Sequence, residues 1–177
     1  MYNVSQPLLP HETRRKHFKL LQHGTKPVFV SDIIKNGLTL SPPGGNTPGA
    51  PMFSGQSIYY ADRFTKAAGH CLLAATDRPE FGFIFAAVVS CGKHLDKITE
   101  DFNLGASVNY DSVKGLGRYK PSKLITGATS SYKIPSTVTQ RNYKVLSTSP
   151  LYNNEYVNYN AARSKLEYLM EVKFLYN

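Results

Sequence analysis

The stretch KLLQHGT at residues 19–25 joins a short apolar segment to a polar ending. Its two leucines suit a buried strand, and His23, Gly24 and Thr25 follow them directly. Glycine permits a close backbone approach that a Cβ atom would block. The pattern predicts a strand over residues 16–22 that delivers His23 to a site, although an ordinary strand ending in a turn has the same pattern.

Two further stretches decide how this segment is interpreted: SIYYAD at residues 57–62 and NEYVNY at residues 154–159. Together with residues 19–25 they resemble, in order and in spacing, the His-Tyr-Glu signature of the poly(ADP-ribose) polymerase catalytic domain. Shorter pieces fit the same family at residues 33–38, 42–43, 112–117 and 166–174. The resemblance covers roughly residues 20–177 and is strongest toward the DNA-dependent members.

The resemblance implies the ADP-ribosyltransferase fold. This is an α+β architecture of two packed, mostly antiparallel sheets with flanking short helices and an NAD cleft between the sheets. It divides the chain into an N-terminal arm, residues 1–18, and a catalytic domain, residues 19–177. The many short strands, two helices and long loops that the sequence itself indicates agree with an α+β domain.

Local signals predict where the helices and loops lie. Pro27 can occupy the first turn of a helix, with Phe29, Val30, Ile33 and Ile34 directed toward a core and Gly37 ending it. Asp62 suits the N-cap of a second helix. That helix should run over residues 63–75, whereas the loops should be a Pro-rich one at 41–51, an irregular stretch at 92–110 and a mostly loop segment at 121–140.

Strand signals are clearest in the apolar run at residues 81–89, which predicts a strand buried on both faces. Short strands are also expected at residues 38–40 and at the end of residues 52–60, and two more strands at 154–159 and 166–176. In the last of these, period-two alternation predicts that the apolar side chains share one face. They are Leu166, Tyr168, Met170, Val172 and Phe174.

The resemblance implies that NAD is a substrate and that the bond between ribose and nicotinamide breaks. The transition state then resembles an oxocarbenium ion, as in glycoside hydrolysis. The resemblance places the backbone of Gly24 against the nicotinamide amide, and His23 and Thr25 against ribose hydroxyls. The ring of Tyr59 would flank the nicotinamide. Glu155 would steady the cation, bind the ribose and, in polymer-forming members, polarise the acceptor hydroxyl.

Two more residues match positions near the family's NAD site. Lys66 matches a family lysine, although a solvated helix lysine is an equally good reading of it. His70 replaces the family's second stacking ring, and an imidazole offers less stacking area than a tyrosine. Ala67 stands where the family usually has a serine that bonds the carboxamide. The catalytic set implied is therefore His23, Tyr59 and Glu155, and the NAD-binding set adds Gly24, Thr25, Lys66 and His70.

The formal net charge of +9 attracts polyanions such as nucleic acid, acidic proteins or a dinucleotide. A soluble protein that simply has a basic surface explains this charge equally well. The densest basic cluster is at residues 14–19, and no interleaving of basic and aromatic residues is evident. Non-specific nucleic-acid contact is therefore the partner expectation from charge. The longest apolar run, residues 81–89, is too short to span a bilayer, and the N-terminus lacks a signal-peptide pattern.

Two widely spaced cysteines, Cys71 and Cys91, lack the spacing of a metal site and favour an intracellular setting, nuclear or cytoplasmic. The sequence thus predicts an NAD-dependent ADP-ribosyltransferase that forms poly(ADP-ribose) on protein acceptors, with itself as a candidate acceptor. Only 22 residues precede His23, so we expect activity without DNA. The alternatives are a catalytically weak module that binds NAD or ADP-ribose, and a transferase that modifies nucleic acid.

Overall fold

The computed structural model of the chain describes residues 2–3, 18–40, 53, 56–72, 80–101, 104, 109–126 and 133–176. The Pro-rich loop predicted at residues 41–51, the basic cluster at 14–17 and the end of the predicted helix beyond residue 72 lie outside the described residues. Within them, no helix is long and apolar enough to cross a membrane.

The described chain folds into ten strands and three α-helices. The strands are β1 (Tyr2–Asn3), β2 (Phe18–Thr25), β3 (Ile58–Ala61), β4 (Phe81–Ser90), β5 (His94–Lys97), β6 (Ser112–Gly115), β7 (Tyr119–Thr126), β8 (Lys133–Gln140), β9 (Glu155–Asn158) and β10 (Ser164–Lys173). The helices are α1 (Pro27–Asn36), α2 (Phe64–Leu72) and α3 (Tyr143–Thr148), with a 3₁₀ turn at Ala161–Arg163.

Eight of the strands form a sheet in the order β1-β10-β4-β2-β3-β9-β6-β5, and β7 and β8 form a separate hairpin. Every pairing is antiparallel except that of β5 with β6. Between β2 and β3 only Gln22 and Ala61 are paired, so the sheet consists of two four-stranded halves that separate beyond this pair. The prediction of an α+β fold with mostly antiparallel sheets is confirmed.

Apolar side chains cover both faces of the sheet. On one face, Ile33 of α1 packs in a cluster with Phe85 and Val89 of β4. On the other face, Ala67 of α2 packs with Ile84 of β4 and Cys71. The predicted strand at residues 81–89 is thus confirmed, because its alternate residues enter different buried clusters.

The ends of α1 are those that the sequence predicts. Pro27 occupies the first turn, and Gly37, with φ of 79°, donates its N–H to the carbonyl of Ile33. A positive φ is accessible to glycine at little cost, which explains the residue at this cap. Of the apolar positions expected to face the core, Ile33 is buried and Val30 packs against the same cluster, whereas Phe29 and Ile34 are exposed. The prediction is therefore wrong for Phe29 and Ile34.

The strand β10 does not keep one apolar face. A register shift between Leu166 and Tyr168 inserts a β-bulge opposite β4, and a bulge changes which face the following side chains occupy. Leu166 therefore packs in the cluster on the α1 face, whereas Met170 and Val172 pack in the cluster on the α2 face. The prediction of a single shared face is wrong for this reason.

The predicted secondary structure of three further segments is also wrong. Residues 121–140, expected to be mostly loop, contain most of the β7–β8 hairpin, because their Thr, Val and Ile residues favour strands even where neither face is strongly apolar. The stretch 92–110 contains β5, and residues 38–40 form no strand. The division into an arm and a catalytic domain stays a prediction, although β1 within the arm pairs with β10.

Candidate active site

The first strand residue of β9, Glu155, lies opposite Ala61 of β3, and Tyr59 lies opposite Val157. Residues two apart on a strand point to the same face, so the side chains of Glu155 and Tyr59 lie on the face that α2 covers. The Nζ atom of Lys66 on α2 lies 2.9 Å from Oε1 of Glu155, and both side chains are largely buried, with 15% and 7% exposed. Lys66 is thus a partner of Glu155 and not a solvated lysine.

His70 lies one helical turn beyond Lys66 and approaches the same carboxylate oxygen. Its Nε2 atom is 3.9 Å from Oε1 of Glu155. Burial lowers the pKa of His70, while the carboxylate of Glu155 acts in the opposite direction and Lys66 adds to the lowering. At neutral pH the neutral imidazole is therefore favoured. Glu155, Lys66 and His70 form a compact group with one negative charge and one fixed positive charge.

His23 is connected to Tyr59 through the backbone. Its Nδ1 atom lies 2.8 Å from the carbonyl oxygen of Tyr59. A carbonyl can only accept, so Nδ1 carries the proton in the neutral ring and Nε2 is left as an acceptor. Burial lowers the pKa of His23, the hydrogen bond to Tyr59 opposes that shift, and the nearby His70 adds to it.

The phenol of Tyr59 is fixed at its far end. Its hydroxyl donates to the carbonyl of Phe53 at 2.6 Å and accepts from the N–H of Phe53 at 3.3 Å. Burial raises the pKa of Tyr59 to about 12, with the Phe53 backbone acting against the shift. The ring is therefore a neutral, rigid wall beside Glu155 and not a proton donor at neutral pH.

Gly24 is required by the packing of α2 on β2. A Cβ atom at this position would lie 1.9 Å from the carbonyl oxygen of Ala67 and 3.1 Å from Sγ of Cys71. The close approach that the sequence predicts is thus made by a helix backbone. On its other side, β2 pairs with β3 only at Gln22, so its edge at residues 23–25 has no strand partner among the described residues.

A second polar network holds the start of β9. The side chain of Asn154 donates to Oδ2 of Asp62 at 2.7 Å, and its Oδ1 accepts from Arg141 Nη2 at 2.9 Å and from the N–H of Gly117 at 3.1 Å. Asn154 and Asp62 are buried. Because Asn154 immediately precedes Glu155, this network fixes the backbone position of the carboxylate.

The site opens beside Lys66. A depression of about 430 Å³ is lined by Thr65, Lys66, Tyr152 and Asn153. Glu155 does not line this depression, and the link between the two is Lys66, which contacts the Glu155 carboxylate. Among the described residues, no group of three His, Cys, Asp or Glu side chains is placed to hold a metal ion.

A model of the poly(ADP-ribose) polymerase catalytic domain matches residues 4–174 of the chain. The chain belongs to the poly(ADP-ribose) polymerase catalytic-domain family. It is 32% identical to poly [ADP-ribose] polymerase 1 of Danio rerio over 89% of this chain and 15% of that protein. The identity to the Xenopus laevis protein of the same name is 33%, with the same coverage.

The protein mono-ADP-ribosyltransferase PARP3 of Gallus gallus is 26% identical over 90% of this chain and 29% of that protein. The chain therefore spans less than a third of the length of these poly(ADP-ribose) polymerase relatives. Relatives named for polymer formation and for single transfer both match, so family membership alone does not decide between the two activities.

Within this poly(ADP-ribose) polymerase fold, five of the sequence-predicted residues converge: His23, Tyr59, Lys66, His70 and Glu155. Gly24 and Thr25 lie on β2 beside α2, where the Cys71 thiol is hydrogen-bonded to the backbone of Thr25. The sequence analysis missed Arg141, for which no signal exists, and assigned Asp62 only as a helix cap. Asn154 lies within the quoted stretch, but its role appears only in the fold.

Protonation of the two site histidines should destabilise the fold. Their pKa values are lowered from 6.5 in the folded protein, so below about pH 6.5 the unfolded chain binds more protons and the free energy of unfolding falls with falling pH. Denaturant melts at several pH values between 5 and 7.5 measure this. The variant His23→Gln/His70→Gln should show a smaller pH dependence over that range, and an identical slope would contradict the assignment.

Proposed function

We propose that this chain is an NAD-dependent ADP-ribosyltransferase that releases nicotinamide and transfers ADP-ribose to protein acceptors, including itself. The observation that supports this most is the buried Glu155 carboxylate, paired with Lys66 on α2 and on the same face as Tyr59. Negative charge held in a water-poor site stabilises a developing cation more than it would in water. Membership of the poly(ADP-ribose) polymerase family agrees with this chemistry.

The reaction breaks the bond between ribose C1′ and the nicotinamide nitrogen, and the electron pair leaves with nicotinamide. An acceptor oxygen then forms a bond to C1′ and loses its proton. In this proposal the unpaired edge of β2 at Gly24 supplies a backbone donor and acceptor for the carboxamide, which presents one of each. Tyr59 flanks the nicotinamide ring, and the Nε2 acceptor of His23 receives a ribose hydroxyl.

Glu155 carries the charge-stabilising role in this proposal, and Lys66 holds its carboxylate in position. His70 replaces a larger ring, and its neutral imidazole can lie against the nicotinamide. Thr25 stays a proposed ribose contact. NAD is then a substrate that the chain consumes, and no metal takes part in the proposed steps. The buried free thiols of Cys71 and Cys91 are compatible with the reducing, intracellular setting that we propose.

We infer that the product is poly(ADP-ribose). In the set His23, Tyr59 and Glu155, the carboxylate of Glu155 can polarise an acceptor hydroxyl in addition to binding the ribose of NAD. The test is incubation of the purified chain with NAD labelled on its adenylate phosphate. The expected result is a ladder that protease removes and nuclease leaves intact. A single band would indicate single transfer, and a nuclease-sensitive product would indicate a nucleic-acid acceptor.

The same assay tests whether this chain needs DNA. Blocking NAD requires a blocking element, and the three described α-helices instead pack into the fold through Ile33, Ala67 and Val145. We therefore expect initial rates with and without nicked duplex to agree within a few fold. A stimulation of a hundredfold would contradict this part of the proposal without affecting the transferase activity.

The second candidate is a module that binds NAD or ADP-ribose with little catalysis. Two observations favour it: Ala67 provides no hydroxyl for the carboxamide, and His70 is a smaller ring than a tyrosine. A hydrogen bond of this kind contributes about 0.5–1.5 kcal/mol, enough to weaken binding but not to remove the catalytic carboxylate. Absence of nicotinamide release, with NAD binding intact, would favour this candidate.

A further inference from the structure

Positive charge is concentrated in one stretch of the chain. Residues 112–154 contain no Asp or Glu and hold seven Lys and Arg, out of a net charge of +9 for the whole chain. Five of these seven side chains are exposed: Arg118, Lys120, Lys123, Lys133 and Lys144. None of the five pairs with a carboxylate of the described residues. Unpaired charges of one sign produce a field that attracts polyanions.

Two tyrosine rings within this stretch are in tilted contact. The ring centroids of Tyr119 and Tyr152 are 4.5 Å apart with an interplanar angle of 37°. Tyr152 is 63% exposed, so a large part of its ring surface faces solvent. The pair is well fixed, because the N–H of Tyr119 donates to the carbonyl of Tyr152 at 2.9 Å and the Tyr119 hydroxyl accepts from Gln140 at 3.0 Å.

The sequence does not reveal this arrangement, since the two tyrosines are far apart along the chain. They meet because Tyr119 forms a bridge with Asn153, which brings the start of β7 beside the segment before β9. Arg118 and Lys120 are the chain neighbours of Tyr119. The expectation that basic and aromatic residues are not interleaved is therefore wrong at this point, and the fold adds Tyr152 from a distant segment.

The tyrosine pair borders the candidate active site. Tyr152 lines the depression of about 430 Å³ together with Thr65, Lys66 and Asn153. Lys66 in turn contacts Glu155. A ligand stacked on Tyr152 would thus lie beside the depression that Lys66, the partner of Glu155, also lines.

We propose that this tyrosine–basic surface, made of Tyr119, Tyr152 and the five exposed Lys and Arg side chains, binds single-stranded nucleic acid. An unpaired base stacks on the open ring of Tyr152, and the phosphates contact the basic side chains of the β7–β8 hairpin and α3. A base within a duplex is already stacked on its neighbours and has no free face for the tyrosine. Stacking platforms combined with a basic path are how proteins hold single strands without reading sequence.

This inference goes beyond the proposed transferase activity and needs no turnover. The test is therefore a binding measurement on the full chain without NAD: fluorescence anisotropy with a labelled twelve-nucleotide oligo(dT), compared with a duplex of the same length.

Tyr152→Ala should weaken binding of the single strand about tenfold, within the range that losing one stacked base gives. The matched control is Tyr176→Ala, since Tyr176 is also exposed and in ring contact, with Phe174, but lies outside the basic stretch. That control should bind within twofold of wild type. Equal binding by Tyr152→Ala and wild type, or an equal loss in Tyr176→Ala, would overturn the proposal.

Charge is tested separately with variants of equal net charge. Lys120→Gln/Lys123→Gln should reduce the slope of log K against log salt by about 0.7 for each lost phosphate contact. Lys35→Gln/Lys93→Gln removes two exposed charges outside the stretch and should leave the slope unchanged. A loss confined to Arg14→Gln/Arg15→Gln would place binding elsewhere, and equal competition by polyglutamate would identify an acidic peptide as the ligand. Each of these results contradicts the proposal.

Discussion

Glu155→Gln is expected to lower ADP-ribose transfer about 10²-fold or more while NAD binding stays within a few fold of wild type. Removing one electrostatic group that acts on the transition state typically costs about 10²–10³ in rate. Glutamine keeps the shape and a hydrogen-bonding oxygen but loses the charge that a developing cation requires. It also removes the partner of Lys66, whose Nζ lies 2.9 Å from the carboxylate, so the ammonium is left without its counter-charge.

The measurement is single-turnover transfer with saturating NAD, accompanied by calorimetric NAD binding. Glu171→Gln is the matched control, because Glu171 is an exposed carboxylate on β10 and outside the site. Thermal melts of both variants separate a loss of chemistry from a loss of folded protein. Wild-type transfer in Glu155→Gln would dismiss the residue as catalytic, and a parallel loss of binding and transfer would make it a binding residue instead.

The parts of the fold that the sequence predicts are those with a strong local signal. The strand β4 follows from a short apolar run rich in β-branched and aromatic residues, which favours a strand buried on both faces, and α1 is bounded by Pro27 and Gly37. The β7–β8 hairpin was missed because both of its faces are largely solvent-exposed. No period-two apolar pattern can form on such strands. The bulge in β10 has no local signal, since Leu166 and Tyr168 keep the alternation in sequence.

The candidate site divides in the same way. The positions of His23, Tyr59 and Glu155 follow from resemblance to the family, and the fold brings them together with Lys66. What the sequence cannot supply are contacts between distant segments, each of which depends on the register of the strands. The Arg141 guanidinium reaches Asn154, and Tyr119 reaches Tyr152, because the segment just before β9 forms a bridge with the start of β7 at Tyr119 and Asn153.

The resemblance also assigned Gly24 to the nicotinamide, and the packing gives it a second role. A Cβ atom there would lie 1.9 Å from the Ala67 carbonyl oxygen, and both groups belong to backbone that is fixed by hydrogen bonds. Gly24 thus lies both on the unpaired edge of β2 and at the closest contact between β2 and α2. A substitution at Gly24 must therefore disturb the helix that holds Lys66 and His70 before it disturbs any ligand.

Gly24→Ala is accordingly expected to lower both stability and transfer. Overpacking of a close contact costs about 1–3 kcal/mol of the free energy of unfolding, and more where backbone must move. Relief requires α2 to shift away from β2, which carries Lys66 from Glu155. A displacement of about 1 Å of a catalytic group can lower the rate about 10²-fold. Urea melts and single-turnover transfer on the same samples measure the two effects.

Gly69→Ala provides the matched control within α2 itself. A Cβ atom at Gly69 meets nothing within 4 Å, and alanine favours a helix interior over glycine by about 0.5–1 kcal/mol. This variant should be as stable as wild type or slightly more so, with unchanged transfer. If Gly24→Ala instead behaved like Gly69→Ala, α2 could not lie as close to β2 as the structure places it. The close packing of α2 on β2 would then not be what holds Lys66 against Glu155.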